Sequence, residues 1–166
     1  MIFMIIYRTA TFDDVEEIHK LLNDYAKAGL MLSRSRNAIY ENLRDYIIAV
    51  DDEGKFLGCG ALHFVWDKLA EIRSLAVIPS LTKTGIGREL ISKLEEEGTQ
   101  RGVKMFFSLT YQPGFFHKCD YIETDKEHLP QKVWKECVHC PLYPHCNEIA
   151  FVKTTSDFKP GDVILK

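Results

Sequence analysis

The 166 residues, 46% of them hydrophobic and 11% aromatic, are about the size of one folded unit and can bury a core, which excludes a chain disordered by composition. Lys and Arg number 21 against 24 Asp and Glu, for a net charge of -3, and this balance excludes a nucleic-acid backbone as the main partner. The longest apolar run, Met1 to Tyr7, falls far short of the ~20 residues that span a bilayer and lacks the basic start and cleavage site of a secretion signal. It reads as the first strand of a cytoplasmic protein with no membrane partner.

Strand and helix signals alternate along the chain without repeats. Ile5 to Arg8 ends a strand. Thr11 can cap the next helix, with Asp13 and Asp14 in the first turn where the helix dipole favours acids. Val15, Ile18, Leu21, Leu22 and Tyr25 form one apolar face at helical spacing, closed by Gly29. A shorter helix is expected over Ala38 to Arg44. Tyr46 to Val50 and Phe56 to Val65 are strand-like and flank the turn Asp51-Asp52-Glu53-Gly54. Leu69 to Ile78 completes an antiparallel meander that Pro79 stops. Ile86, Leu90, Ile91 and Leu94 mark an amphipathic helix closed by Gly102. Met105 to Leu109 is a buried strand, Pro113 to Lys118 a short helix, and Tyr121 to Glu123 and Ile149 to Lys153 are two last strands. No linker divides the chain, so the expectation is a single α+β domain over residues 1 to 166. Its sheet is mixed but mostly antiparallel, with helices on both faces and a cysteine-containing insertion at 129–146.

The segment Leu75-Ala76-Val77-Ile78-Pro79-Ser80-Leu81-Thr82-Lys83-Thr84-Gly85-Ile86-Gly87-Arg88 is a strand, a turn and a Gly-x-Gly at a helix start. Glycine lets a ligand approach the backbone, and the first-turn N–H groups together with the helix dipole make a phosphate site. Lys83 and Arg88 can add charge. A dinucleotide fingerprint would need a third glycine where Leu90 stands, and a Walker loop would need Gly-Lys-Ser/Thr; neither is present.

Ala70-Glu71-Ile72-Arg73-Ser74-Leu75-Ala76-Val77, followed by the Gly85-Ile86-Gly87 turn and its helix, resembles the signature of the GNAT acyltransferases. In that family the turn holds the pyrophosphate of acetyl-CoA. The usual loop, Gln/Arg-x-x-Gly-x-Gly/Ala, falls on Thr82 to Gly87, and Thr82 departs from it at the first position without removing any backbone donor. A narrower resemblance, to the short-form N-acetylglutamate synthases, is carried by Gly29 to Ser35, by Gly58-Cys59-Gly60-Ala61-Leu62 and by Leu109-Thr110-Tyr111-Gln112. Leu129-Pro130, Trp134, Cys137, Cys140-Pro141, Cys146 and Glu148-Ile149-Ala150 complete it. Asp120-Tyr121 stands where the family usually has Gly-Phe.

The resemblance implies acetyl transfer from acetyl-CoA to the α-amine of L-glutamate by direct attack, the entry step of arginine biosynthesis. Leu75, Ala76 and Val77 would bind the pantetheine arm, Thr82, Lys83, Thr84, Gly85, Ile86, Gly87 and Arg88 the pyrophosphate, and Gln112 and Phe116 the remainder of the cofactor. Glu71 stands where one branch of the family has a glutamate that deprotonates the amine through water. It also reads as a strand glutamate paired with Arg73, and His63 is a second candidate base. The Phe115-Phe116 pair offers no hydroxyl to protonate the leaving thiolate.

A dicarboxylate substrate needs fixed cations, preferably arginine. Arg34 is the first candidate, since the resembling synthases place an arginine there on substrate carboxylate, with Arg36, Arg73 and Lys118 as companions. Other acceptors, namely another amino acid, a small amine or a protein N-terminus, remain open, as does an acyl-CoA-binding sensor without turnover. Five cysteines cannot all pair within one chain. Cys137, Cys140 and Cys146 could hold zinc with a histidine completing the site, or stay reduced thiols. Leu129, Val133 and Trp134 suggest a lid or a homodimer contact.

Overall fold

A computed structural model of the protein describes residues 4–129 and 148–162. Cys137, Cys140 and Cys146, and with them the zinc expectation and most of the 129–146 insertion, lie outside the described residues. The elements are β1 (Ile6–Thr9), α1 (Val15–Lys27), α2 (Arg36–Glu41), β2 (Tyr46–Val50), β3 (Phe56–Trp66), β4 (Leu69–Val77), α3 (Ile86–Gln100), β5 (Met105–Thr110), α4 (Pro113–Lys118), β6 (Ile122–Thr124) and β7 (Ile149–Thr154). The strands form one mixed sheet in the order β1-β2-β3-β4-β5-β7-β6. β1 pairs antiparallel with β2, and β2 with β3, while β4 and β5 run parallel. The chain divides into two compact units, Met1–Leu62 with Ile72–Glu97, and His63–Glu71 with Gly98–Lys166, so β3 and β4 each contribute to both.

In the first unit, α1 and α2 cover one face of the sheet. Val15, Ile18, Leu21 and Leu22 of α1 and Ile39 of α2 pack with Tyr46, Ile48, Val50, Cys59, Ala61 and Ala76. The helix α3 approaches the other face. Leu94 lies 3.0 Å from where a side chain on Gly60 would begin, and Gly60 follows Cys59 in strand alternation. Gly58 fits its place for a similar reason: an added Cβ would stand 2.8 Å from the Ala76 carbonyl oxygen and 3.2 Å from Val77 Cα. Backbone cannot retreat as a flexible side chain can. We expect Gly58→Ala to cost about 1–3 kcal/mol in urea unfolding, the usual range for overpacking. A cost below about 0.5 kcal/mol would show that β3 and β4 separate easily.

The entry to α1 differs from expectation by one turn. Thr11 begins a 3-10 turn, Phe12–Asp14, ahead of the α-helix, and the Asp14 carboxylate accepts the Thr11 N–H at 2.7 Å. Arg8 clasps the same carboxylate with both guanidinium nitrogens, at 2.8 and 3.0 Å. Burial alone pushes the Asp14 carboxyl up, but the Arg8 and Thr11 hydrogen bonds outweigh it and hold the carboxyl below its usual range. Asp14 therefore stabilises the fold fully above the unfolded pKa of about 3.9, and that contribution is lost as pH falls through the folded value. The gap in urea midpoint between wild type and Asp14→Asn is expected to stay constant from pH 7 to 5 and to narrow on titration below pH 4. A gap that does not narrow would contradict this account. The helix α2 starts two residues before its expected position because the Ser35 hydroxyl accepts the Ala38 N–H and caps it, and a 3-10 turn, Leu43–Asp45, follows it.

In the second unit, Leu69, Met105, Phe107 and Ala150 form one face with Leu129, which is 4% exposed. Leu129 is thus a core residue, not part of a lid. The other face holds Phe151, against which α4 packs Phe116 at 5.9 Å between ring centroids, nearly parallel, and His117 at 4.9 Å edge-on. The chain leaves α4 through Asp120, whose φ of 68° lies in the left-handed region that favours glycine and that aspartate also visits.

Candidate active site

Two groups of residues in the first unit carry the chemistry expected from the sequence. The first is the turn between β4 and α3. Ile78 N–H donates to the Leu57 carbonyl at 2.9 Å, and the Tyr25 hydroxyl donates to the Val77 carbonyl at 2.5 Å, so the turn leaves the sheet from an anchored point. Pro79–Leu81 makes one 3-10 turn. Thr82 Oγ1 donates to the Pro79 carbonyl and Thr84 Oγ1 to the Leu81 carbonyl. Both hydroxyls therefore brace the loop. Gly85 has φ of 95°, where an L-side chain is strained, and a Cβ there would meet nothing within 4 Å. The helical ladder opens with Glu89 N–H on the Gly85 carbonyl at 3.0 Å. The N–H groups of Ile86, Gly87 and Arg88 consequently have no intrahelical acceptor. With Lys83 and Arg88 exposed on either side, this open cradle of backbone donors fits a polyphosphate.

The second group surrounds the Tyr46 hydroxyl. Tyr46 is 3% exposed at the start of β2 and donates to Ser74 Oγ at 3.3 Å. Burial pushes its phenol pKa up; the Ser74 hydrogen bond and the positive charges of Arg34 and Arg73 pull against that rise. Arg34 and Arg73, 39 positions apart in sequence, thus act on one hydroxyl. Arg73 is 8% exposed, and the Asn23 amide fixes the Arg34 loop by donating to the Arg34 carbonyl at 3.2 Å and the His19 carbonyl at 2.7 Å. Cys59 is fully buried and burial pushes its thiol up to about 12, so it is no nucleophile at neutral pH. Its Sγ faces the Ser74 carbonyl at 3.5 Å.

Sequence reasoning missed Tyr46 and Ser74, since a tyrosine and a serine in apolar strands carry no functional signature. It also proposed Arg36 as a companion of Arg34. The structure instead turns Arg36 to α1, where its guanidinium pairs with Glu16 at 2.8 and 3.0 Å on the surface.

Leu75, Ala76 and Val77 end β4 in the first unit, whereas Glu71, Gln112, Phe116 and Lys118 belong to the second. Glu71 is half-buried on β4 opposite Phe107, the last pair in the parallel ladder that starts at Leu69↔Met105. The strand β4 continues past this ladder to Val77. Gln112 precedes α4 and is exposed, as is Lys118 at its end. Phe116 is 4% exposed and enclosed by Phe115, Tyr121 and Phe151, so its ring packs in the core. Among the described residues there is no group of three His, Cys, Asp or Glu able to hold a metal, and no helix long and apolar enough to cross a membrane.

Residues 13–121 match the Acetyltransferase (GNAT) family. The chain is 44% identical over 147 residues to an uncharacterized N-acetyltransferase of Chlorobaculum tepidum, covering 89% of this chain and 94% of the relative. It is 31% identical over 133 residues to an amino-acid acetyltransferase of Mycobacterium tuberculosis, covering 79% and 76% of the two chains. Its fold is similar to that of Rv2747 from Mycobacterium tuberculosis, solved in complex with CoA and NLQ, with a TM-score of 0.79 at 25% identity over 90% of this chain and 99% of the other. The N-acetylglutamate synthase of Neisseria gonorrhoeae, complexed with coenzyme A and N-acetyl-glutamate, shares the fold at a TM-score of 0.82 and 24% identity over 91% of this chain and 35% of its own. The glycine turn, the strand order and these likenesses agree: the chain belongs to the GNAT family and is an acetyl-CoA-dependent acetyltransferase.

Proposed function

We propose that the acceptor is an acidic amino acid, L-glutamate in the first instance, and that the protein catalyses the entry step of arginine biosynthesis. The observation that carries this reading is that the positive charges of Arg34 and Arg73, from two distant parts of the chain, both bear on the buried Tyr46 hydroxyl. Two guanidinium charges bearing on one buried hydroxyl suit a substrate with two carboxylates, and arginine is the side chain that grips carboxylate bidentately. A polyamine site would gather carboxylates instead. The amino-acid acetyltransferase of Mycobacterium tuberculosis supports the same reading by relatedness.

In this reading the cradle of Gly85, Ile86, Gly87 and Arg88 binds the pyrophosphate of acetyl-CoA, with Lys83 and Arg88 adding charge. Leu75, Ala76 and Val77, on the part of β4 beyond its ladder with β5, offer backbone groups to the pantetheine amides and the thioester oxygen. Arg34 and Arg73 hold the acceptor carboxylates, which aims the amine at the thioester carbon. Glu71, two positions before Arg73, takes the ammonium proton through water so that a neutral amine attacks. The new amide bond forms as the carbon–sulfur bond breaks; the attacking nitrogen gives its second proton to water, water returns one to the thiolate, and coenzyme A leaves as the thiol.

A coenzyme A release assay with acetyl-CoA over free amino acids, polyamines and N-terminal peptides tests the proposal. Turnover with L-glutamate, with N-acetyl-L-glutamate identified by mass, is expected. No turnover with any amino acid, while a peptide or a polyamine is acetylated, would overturn it.

A further inference from the structure

β4 contains a conformation that a strand rarely accommodates. Ser74, in the middle of Leu69–Val77, has φ of 55°, in the left-handed region that a serine enters only at a cost. Two side chains, one from the adjacent β3 and one from β2 beyond it, close on this one residue. Tyr46 of β2 donates its hydroxyl to Ser74 Oγ at 3.3 Å, and Cys59 of β3 places its thiol 3.5 Å from the Ser74 carbonyl. Tyr46 pairs with Ala61 and Ile48 with Cys59 in the β2–β3 ladder, so Tyr46 and Cys59 stand on the same face of the sheet. In a regular strand, consecutive residues point to opposite faces. A left-handed residue interrupts that alternation and so resets the direction of Arg73 immediately before it.

We propose that Tyr46 is a positioning residue: its hydrogen bond holds Ser74 in the left-handed conformation, and this fixes the direction of Arg73 toward the acceptor. The inference rests on the acceptor reading above, because Arg73 is one of its two carboxylate ligands. It does not involve the phosphate cradle. The end of β4 is anchored separately by Tyr25 on the Val77 carbonyl and by Ile78 on the Leu57 carbonyl. Loss of the Tyr46 hydroxyl should therefore affect the acceptor and leave acetyl-CoA almost unaffected.

The test is a double-mutant cycle of Tyr46→Phe with Ser74→Gly, read as KM and kcat for both substrates. Glycine enters the left-handed region without strain, so with glycine at 74 the clamp becomes unnecessary. Tyr46→Phe is expected to raise the acceptor KM about tenfold, with kcat and the acetyl-CoA KM changing less than about twofold. In the Ser74→Gly background, the same Tyr46→Phe change is expected to move the acceptor KM less than about twofold. Equal effects in the two backgrounds, or a fall in thermal stability with no change in acceptor KM, would overturn the proposal. Wild-type turnover separates the two readings: without glutamate turnover it is the acceptor assignment that fails. The clamp is then judged on the Ser74 13Cα and 13Cβ chemical shifts, which require no substrate. They should leave left-handed values in Tyr46→Phe, and their persistence there would refute the clamp.

Discussion

Arg34→Ala is expected to raise the KM for L-glutamate about 10- to 100-fold, since a hydrogen bond between charged partners contributes about 1.5–3 kcal/mol. Both kcat and the acetyl-CoA KM should change little, because the residue contacts neither the cradle nor the reacting carbon in this account. The physical basis is local. The Asn23 amide ties the Arg34 carbonyl to α1, and Ser35 immediately starts α2, so the guanidinium projects from a backbone fixed on both sides. Arg34→Lys retains charge but not the planar fork, and should recover only part of the loss. Arg36→Ala is the informative neighbour. It removes a surface pair with Glu16, which is worth little, and should leave the glutamate KM unchanged. If Arg36→Ala weakened glutamate as strongly as Arg34→Ala, general loop damage would be the better explanation.

Gly85→Val is the second large effect expected. At φ of 95° a β-branched residue costs about 1–3 kcal/mol in strain, and its side chain would fill the open space from which a phosphate reaches the N–H groups of Ile86, Gly87 and Arg88. We expect the acetyl-CoA KM to rise about 10- to 100-fold, with the glutamate KM at saturating acetyl-CoA almost unchanged. The fold should survive, because a Cβ at 85 meets nothing within 4 Å. Titration of coenzyme A onto the variant, followed calorimetrically, checks this directly. Wild-type affinity in Gly85→Val would remove the pyrophosphate from this turn. Together, the Arg34 and Gly85 variants separate acceptor binding from cofactor binding within one unit of the fold.

Much of this was legible in the sequence where a local pattern has a local cause. The apolar face of α1 and the Gly85-Ile86-Gly87 turn followed from spacing and residue type, and both stand where expected. Asp120 was recognisable as a departure from the family, and the left-handed backbone there shows how an aspartate can replace the glycine. What the sequence hid depends on pairs far apart in the chain. Tyr25 meets the Val77 carbonyl across 52 positions, and Tyr46 meets Ser74 across 28. Neither tyrosine differs in sequence from an ordinary core aromatic. A left-handed serine inside a strand is equally silent, because its neighbours and not its own residue type hold it there. Phe116, which its position relative to a family motif suggested for the cofactor, has Phe115, Tyr121 and Phe151 around its ring, a setting that the motif did not indicate. Arg36 was grouped with Arg34 by proximity in sequence, yet it is the first residue of α2 and pairs with Glu16.

If two arginines select an acidic acceptor, the relative kcat/KM for L-glutamate, L-glutamine and putrescine at saturating acetyl-CoA will show it. Glutamine keeps the shape of glutamate and removes one charge, while putrescine reverses the charge altogether. Glutamate is expected to be preferred over glutamine by about tenfold or more, with putrescine near background. Equal use of glutamate and glutamine, or a preference for putrescine, would contradict it.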